Sequence, residues 1–220
     1  MTHLVYVADP MCSWCYGFGP ELKALLDTMP DARLDIVVGG LRAYNKEVMD
    51  EQKRQTILGH WKHVAEASGL PFSPVGMTQA GFIYDTEPAC RAVVTARTLA
   101  DDLSAHESLS IFFAIQQAFY AEGKDITNPV VLAEITTAAL NATAGGVEHF
   151  DVDSVLETWQ SPMTMADTRQ DFQQTQRWGV RGFPALLVLH NNALHMIASG
   201  YTKAAELISS CQQVQQVQQV

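Results

Sequence analysis

The chain has 220 residues, 47% of them hydrophobic and 17% charged, and a formal net charge of −10. That acidic balance argues against nucleic acid or an anionic membrane surface as the main partner. No apolar run approaches the ~20 residues of a membrane span, and the opening Met1-Thr2-His3-Leu4 lacks the basic segment of a secretory signal, so the cytoplasm is the expected compartment.

Leu4–Ala8 reads as a short buried strand, broken by Asp9-Pro10-Met11. Cys12-Ser13-Trp14-Cys15 follows at once, and Phe18, Leu22, Leu25, Leu26 and Met29 then recur at helical spacing. Both cysteines therefore sit where a strand turns into a helix. A helix N-terminus carries unpaired N–H groups and roughly +0.5 of an elementary charge. Both favour a thiolate, which is the nucleophile of thiol–disulfide exchange. Half of a zinc site, or two buried structural cysteines, are the other readings. Zinc wants four ligands, whereas Cys90 and Cys211 stand alone and His60 and His63 lie far along the chain, so no metal is expected.

Leu34–Val38 is a second strand, ended by Gly39-Gly40, and completes a β-α-β unit with parallel strands. From about residue 46 to residue 160 the pattern is helical. The first helix covers 47–67. The second runs to Leu99, with Thr86 as candidate N-cap and Pro88 in its first turn. A third covers 107–121. The fourth starts at Asn128-Pro129, runs to about 142 and stops at Gly145-Gly146. A fifth is opened by Asp151 or Asp153, with Val155, Leu156 and Trp159 as its apolar face. A sixth covers 163–178 and stops at Gly179. The period then changes: Ala185–Leu189 and Leu194–Ala198 form a hairpin around Asn191-Asn192. Gly200 closes it, and a last helix runs from about Lys203 to Cys211. The Gln/Val-rich tail, 212–220, is expected to extend or fray from that helix, with no function assigned. A lone hairpin is marginal, so the two ends of the chain should pair into one sheet with the helical block inserted between them.

A second motif, Gly179-Val180-Arg181-Gly182-Phe183-Pro184, leads into the third strand. Proline is allowed at a strand's first residue. A cis Phe183–Pro184 bond would mark a tight turn, and an ordinary trans proline is the other reading.

Taken together, these residues resemble the thioredoxin fold, and the long helical insertion after the second strand resembles its DsbA branch. The run Asp9-Pro10-Met11-Cys12-Ser13-Trp14-Cys15-Tyr16-Gly17-Phe18 is similar to that of cytoplasmic, FrnE-like predicted protein-disulfide isomerases of the DsbA family. The resemblance runs from Leu4 to about Cys211. It implies an α/β protein: a discontinuous thioredoxin-like domain (1–42 and 171–211), an inserted helical domain (43–170) and a tail (212–220). It also implies roles. Cys12 would be the exposed, low-pKa nucleophile and Cys15 the buried resolving thiol. A cis-Pro184 would pack beside the disulfide, and the Phe183 backbone would pair with an extended substrate segment. Ser13 and Trp14 would complete the substrate-contacting surface.

Two departures stand out. Many relatives carry Pro-His or Gly-Pro between the cysteines, where this chain has Ser13-Trp14. Tyr6 occupies the strand position where many thioredoxin-like proteins keep a buried acid. Asp9 is the nearest carboxylate in sequence: a candidate proton relay for Cys15, or simply a turn residue before Pro10.

The function so implied is a thiol–disulfide oxidoreductase of reductase or isomerase type. It would have no bound cofactor, a disulfide-containing protein or small thiol as substrate, and glutathione or another dithiol as redox partner. It would be a monomer or homodimer. The principal alternative is a glutathione-dependent transferase or isomerase of the kappa-class or hydroxychromene-carboxylate-isomerase type, which typically has serine where Cys12 stands. The other is a non-catalytic binding module docking through Trp14, Phe18 and Phe183. Cys90 and Cys211 read as buried structural thiols, His60 and His63 as solvated helix residues, and Phe112, Phe113, Phe119 and Tyr120 as core of the insert.

Overall fold

In the computed structural model, which describes residues 1–100, 102–143 and 149–216, β1 (His3–Ala8) is an inner strand of a four-stranded sheet ordered β2-β1-β3-β4. β2 (Arg33–Val38) runs parallel to β1, with His3 opposite Arg33 and Ala8 opposite Val38. β3 (Ala185–His190) lies antiparallel on the other side of β1. β4 (Ala193–Ser199) returns antiparallel to β3 across a turn in which Asn191 and Asn192 both take positive φ. Two positive φ values in succession give the two-residue turn whose twist matches the flanking strands. The two ends of the chain thus share one sheet.

β1 is buried from Leu4 onward because both faces of the sheet are covered. Side chains alternate along the strand. Leu4, Tyr6 and Ala8 enter the larger core with Leu34, Ile36, Leu186 and Val188. Val5 and Val7 pack on the other face with Val37, Val180, Ala185 and Leu187.

The helices are α1 (Ser13–Asp27), α2 (Glu51–Ser68), α3 (Glu87–Leu99), α4 (Ala105–Tyr120), α5 (Pro129–Thr143), α6 (Val152–Gln160), α7 (Pro162–Arg177) and α8 (Ala204–Gln216), with a 3-10 turn at Pro74–Met77. Their starts follow local side-chain chemistry. Asp50, Ser104, Asp151 and Ser161 each accept a backbone N–H of the first turn of their helix. At α4 the Ser104 and Glu107 side chains cap reciprocally. This makes Glu107 the third residue of the helix rather than its first. α2 begins at Glu51, later than the expected 47, because Asp50 caps it and Val48 is drawn into a bridge with Ile83. Thr86 does precede α3, but its hydroxyl makes no cap: it accepts from the Arg42 N–H at 3.1 Å, while Asp85 takes the Glu87 N–H. The Gly145-Gly146 stop and the last four residues of the tail lie outside the described residues. The tail before them prolongs α8 to Gln216.

α1 packs against α2, α4 and α8. The approach to α2 and α4 is close: a Cβ on Gly17 would fall 2.7 Å from Val64, and one on Gly19 would fall 2.8 Å from Phe113. One continuous core takes in the strand residues together with Trp61, Phe112, Phe119 and Tyr120 from the helical block. Each buried aromatic of this size contributes about 1.5–3 kcal/mol by leaving water. The outer edge of β2 is covered by side chains. The Ile36 carbonyl accepts from the Arg97 guanidinium at 2.9 Å, and the Val38 N–H donates to Asp171 at 3.1 Å. Arg97 and Asp171 are themselves joined by two hydrogen bonds. This ion pair satisfies edge groups that a further strand would otherwise take. No helix among the described residues is long and apolar enough to cross a membrane.

Candidate active site

β1 ends at Ala8, and the chain reaches α1 in four residues because a turn closes between Asp9 and Cys12, whose N–H donates to the Asp9 carbonyl at 3.0 Å. Cys12 takes the N-cap position of α1 with extended backbone angles, and Cys15 sits one turn in. Both thiols are free. The Cys12 side chain does not cap the helix. Its Sγ is directed across to the Phe183 carbonyl oxygen at 3.5 Å. The Phe183–Pro184 bond is cis, and the Pro184 carbonyl accepts from the Gly200 N–H at 2.7 Å, which ties the loop to the end of β4. The structure therefore brings the two motifs, 171 residues apart, into contact.

The expected exposure of Cys12 needs correction. It is 7% exposed, against 0% for Cys15, because the Phe183 loop lies over the start of α1. Room for that loop comes from Gly39. A Cβ there would lie 2.1 Å from the Phe183 ring, so only glycine lets β2 end against it. Trp14 is partly buried, and its ring stands 5.5 Å from that of Tyr201. Ser13, the first residue of α1, is also partly buried.

The Cys15 thiol is held well above its ordinary pKa, first by burial and then by Cys12 beside it. Asp9 is completely buried. Its carboxylate accepts from the Met11 N–H at 2.8 Å, the Leu41 N–H at 2.6 Å and the Cys90 thiol at 3.4 Å. Burial raises its pKa, and these donors, with the Thr86 hydroxyl, offset part of that rise. No hydrogen bond joins the carboxylate to Cys12 or Cys15. It is instead the Asp9 backbone amide that favours the Cys15 thiolate.

Three groups went unrecognised as site residues in the sequence. Cys90 is a buried thiol, as expected, but it is a donor to Asp9 and not merely packing. Its pKa is raised, first by burial and then by the Asp9 charge. Tyr84 donates its hydroxyl to the Met11 carbonyl and so braces the loop before Cys12. Tyr6 is fully buried and donates to the Cys15 carbonyl at 3.3 Å. The departure at Tyr6 was the one sequence signal available for any of these. By contrast, Cys211 lies away from the site, against Met29 at 4.0 Å, and His60 and His63 are exposed on α2. Phe112, Phe119 and Tyr120 are buried in the main core, with Phe113 partly buried against it.

Residues 3–207 match the DSBA-like thioredoxin domain family. Among solved structures, a candidate protein disulfide isomerase from Nitrosomonas europaea is 31% identical, with a TM-score of 0.84 over 99% of this chain and 98% of that one. The cytosolic disulfide reductase DsbM from Pseudomonas aeruginosa is 21% identical, with a TM-score of 0.75 over 98% and 99% of the two chains. The same reductase solved with GSH is also similar, at 22% identity and a TM-score of 0.72 over 96% and 98%. A 2-hydroxychromene-2-carboxylate isomerase shares 12% identity, with a TM-score of 0.64 over 98% and 97%. No curated protein matches the chain.

Proposed function

We propose what this site does from one premise: the chain belongs to the DSBA-like thioredoxin domain family and is a thiol–disulfide oxidoreductase. The roles rest on a single observation. Cys12 Sγ stands 3.5 Å from the Phe183 carbonyl beside Pro184, with Cys15 sealed one turn behind it.

Cys12 is the nucleophile. Its thiolate attacks one sulfur of a substrate disulfide, a new S–S bond forms, and the other substrate sulfur leaves as a thiolate. Cys15 then gives its proton, through a bridging water, to the ionised Asp9 carboxylate, whose charge it feels, and attacks Cys12. The Cys12–substrate bond breaks, the substrate leaves reduced, and a Cys12–Cys15 disulfide remains. Two molecules of glutathione, which leave as glutathione disulfide, or one molecule of a dithiol, return the pair to the reduced state. The rise in both the Cys15 and Asp9 pKa values supports this second step, because a buried acid that holds protons firmly suits a thiol that releases one reluctantly. The substrate is an extended, disulfide-bearing segment that runs along the Phe183 backbone, with Ser13 and Trp14 as further contacts. The working direction is reduction or isomerisation in a reducing compartment, the cytoplasm. The cytosolic neighbour and its GSH-bound form support that placement and that partner.

The test is insulin-disulfide reduction with glutathione as reductant. Cys12→Ser is expected to abolish it, and Cys15→Ala to leave a stable mixed disulfide on Cys12. Undiminished reduction by Cys12→Ser overturns the reading. Glutathione-dependent turnover that survives Cys15→Ala would transfer the site to the glutathione-dependent transferase or isomerase class.

A further inference from the structure

We infer that Tyr6 is a positioning residue for the resolving thiol: its buried hydroxyl holds the Cys15 end of the pair and donates to the Cys15 sulfur when that sulfur is a thiolate. This rests on the reading of Cys12 and Cys15 as a redox pair and extends it to a residue outside both motifs.

The geometry leaves this phenol little freedom. Tyr6 lies in mid-strand on β1 and is 0% exposed. Its ring is clamped between Phe18 of α1, at 5.7 Å, and Phe112 of α4, at 5.6 Å edge-on. The hydroxyl therefore arrives at one place, the Cys15 main chain, where it meets the carbonyl oxygen at 3.3 Å. That is a long contact for an O–H···O bond, whose usual length is about 2.7–2.8 Å. The Cys15 side chain is itself a hydrogen-bonding neighbour of this hydroxyl, and a hydroxyl proton swings about its C–O bond, so one fixed oxygen can serve both the Cys15 carbonyl and the Cys15 sulfur. The chemistry makes the sulfur the better acceptor at the moment that matters. While Cys15 is a thiol, the carbonyl holds the proton. Once Cys15 is a thiolate, it is a buried anion with few donors, and a charge-assisted hydrogen bond is about twice as strong as a neutral one. Asp9 does not serve in this way, since its carboxylate has no proton to donate and is an acceptor, from Met11, Leu41 and Cys90. Tyr6 remains a donor throughout. Burial and the two neighbouring thiols hold its own proton firmly, well above the ordinary phenol range. No proton leaves Tyr6; the Cys15 proton goes to Asp9, as in the step above.

The step can be isolated. The reduced protein is treated with 5,5′-dithiobis(2-nitrobenzoate): Cys12 attacks one of its sulfurs, a first thionitrobenzoate leaves, and Cys12 carries a mixed disulfide with the second. Cys15 then attacks Cys12, the Cys12–thionitrobenzoate bond breaks, and the coloured thionitrobenzoate anion leaves with the electron pair. Its release is followed against pH in the unsubstituted protein and in Tyr6→Phe, which removes the oxygen alone. The expected result is release slowed about tenfold or more, the loss of a hydrogen bond to a charged group, with the pH midpoint moved upward. Equal rates, or slowing with an unmoved midpoint, overturn the inference, because a packing defect would not displace an ionisation. 3-Fluorotyrosine placed at position 6 keeps the ring and makes the phenol a stronger donor. It should move the midpoint downward, and an unmoved midpoint again counts against Tyr6. Failure of the underlying reading looks different: no second thionitrobenzoate would follow the first, even from the unsubstituted protein.

Discussion

Asp9 and Asp171 are both buried carboxylates near the end of the sheet, and the fold treats them differently. Asp171 faces a cation: Arg97 gives it two hydrogen bonds while capping the Ile36 carbonyl, and the Val38 N–H adds a third. Asp9 faces only neutral donors, namely two backbone N–H groups, the Cys90 thiol and the Thr86 hydroxyl. Burial is the first cause acting on each and pushes both upward, but only Asp171 has a guanidinium charge pulling it back. The Asp171 carboxyl is still raised overall, but its charge has a partner when present, and the Arg97 fork makes the pair a structural clasp. A carboxylate among neutral donors can gain or lose a proton without stranding a counter-charge. The first belongs to the edge of β2, the second to the floor of a thiol site.

The sharpest way to break this comparison is Asp9→Asn. Removing the proton acceptor should slow thionitrobenzoate release from Cys12 about a hundredfold, within the usual range for general acid–base catalysis, and flatten its dependence on pH. If the variant keeps both the rate and the pH profile of the parent, Asp9 is a turn residue and the contrast with Asp171 fails. Arg97→Met probes the other carboxylate. It leaves Asp171 buried without its cation and one β2 edge group, the Ile36 carbonyl, without its donor. Full loss of a buried pair costs about 3–5 kcal/mol, but Arg97 is 42% exposed, so about 2 kcal/mol in urea unfolding is expected. Insulin reduction per folded molecule should not change; a parallel fall in activity would mean that the two regions are not separate.

Cys90→Ala tests whether the third thiol acts through Asp9. Losing a small buried side chain and its donor should lower stability by about 1 kcal/mol. The Cys90 hydrogen bond lowers the Asp9 pKa, so its loss should move the Asp9-dependent limb of the rate profile upward, and Cys90→Ser should restore it. A limb that stays in place in Cys90→Ala would reduce Cys90 to packing. The smallest effect is on stability against pH. Because the folded state raises the Asp9 pKa, protonation favours folding. Its contribution is full below the ordinary carboxylate range and is lost as pH rises through the raised value. The stability of the parent relative to Asp9→Asn should therefore fall from acid toward neutral pH. A difference that grows instead would show Asp9 to be held as an anion.

Much of the architecture was legible along the chain because it is written locally. The apolar run of β1, the helical spacing after Cys15, the Asn128-Pro129 start, the candidate cap Asp151 and the Asn191-Asn192 turn each depend on a few neighbouring residues, and the elements they announce are present. The reading was weaker where distant groups compete for the same atom. Thr86 has the composition of a cap, yet Arg42 and Asp9 claim its hydroxyl. Cys12 has the position of an exposed nucleophile, yet the Phe183 loop covers it. Cys90 looked like one more apolar core residue, because nothing near it in sequence points to Asp9, 81 residues away.

The sequence by itself determined the chemistry available: two cysteines at the mouth of a helix, a proline-bounded loop before a late strand, and the order of strands and helices that lets one sheet join them. Those are properties of residue type and spacing, and they survive without knowledge of contacts. Only the tertiary structure decided which groups face each sulfur. It set the Phe183 carbonyl against Cys12, the Tyr6 hydroxyl against Cys15, and the Asp9 carboxylate toward Cys90. Hydrogen bonds and burial act over a few ångströms, and it is the packing of β1, α1, α3 and the β3 approach, far apart in the chain, that sets those few ångströms.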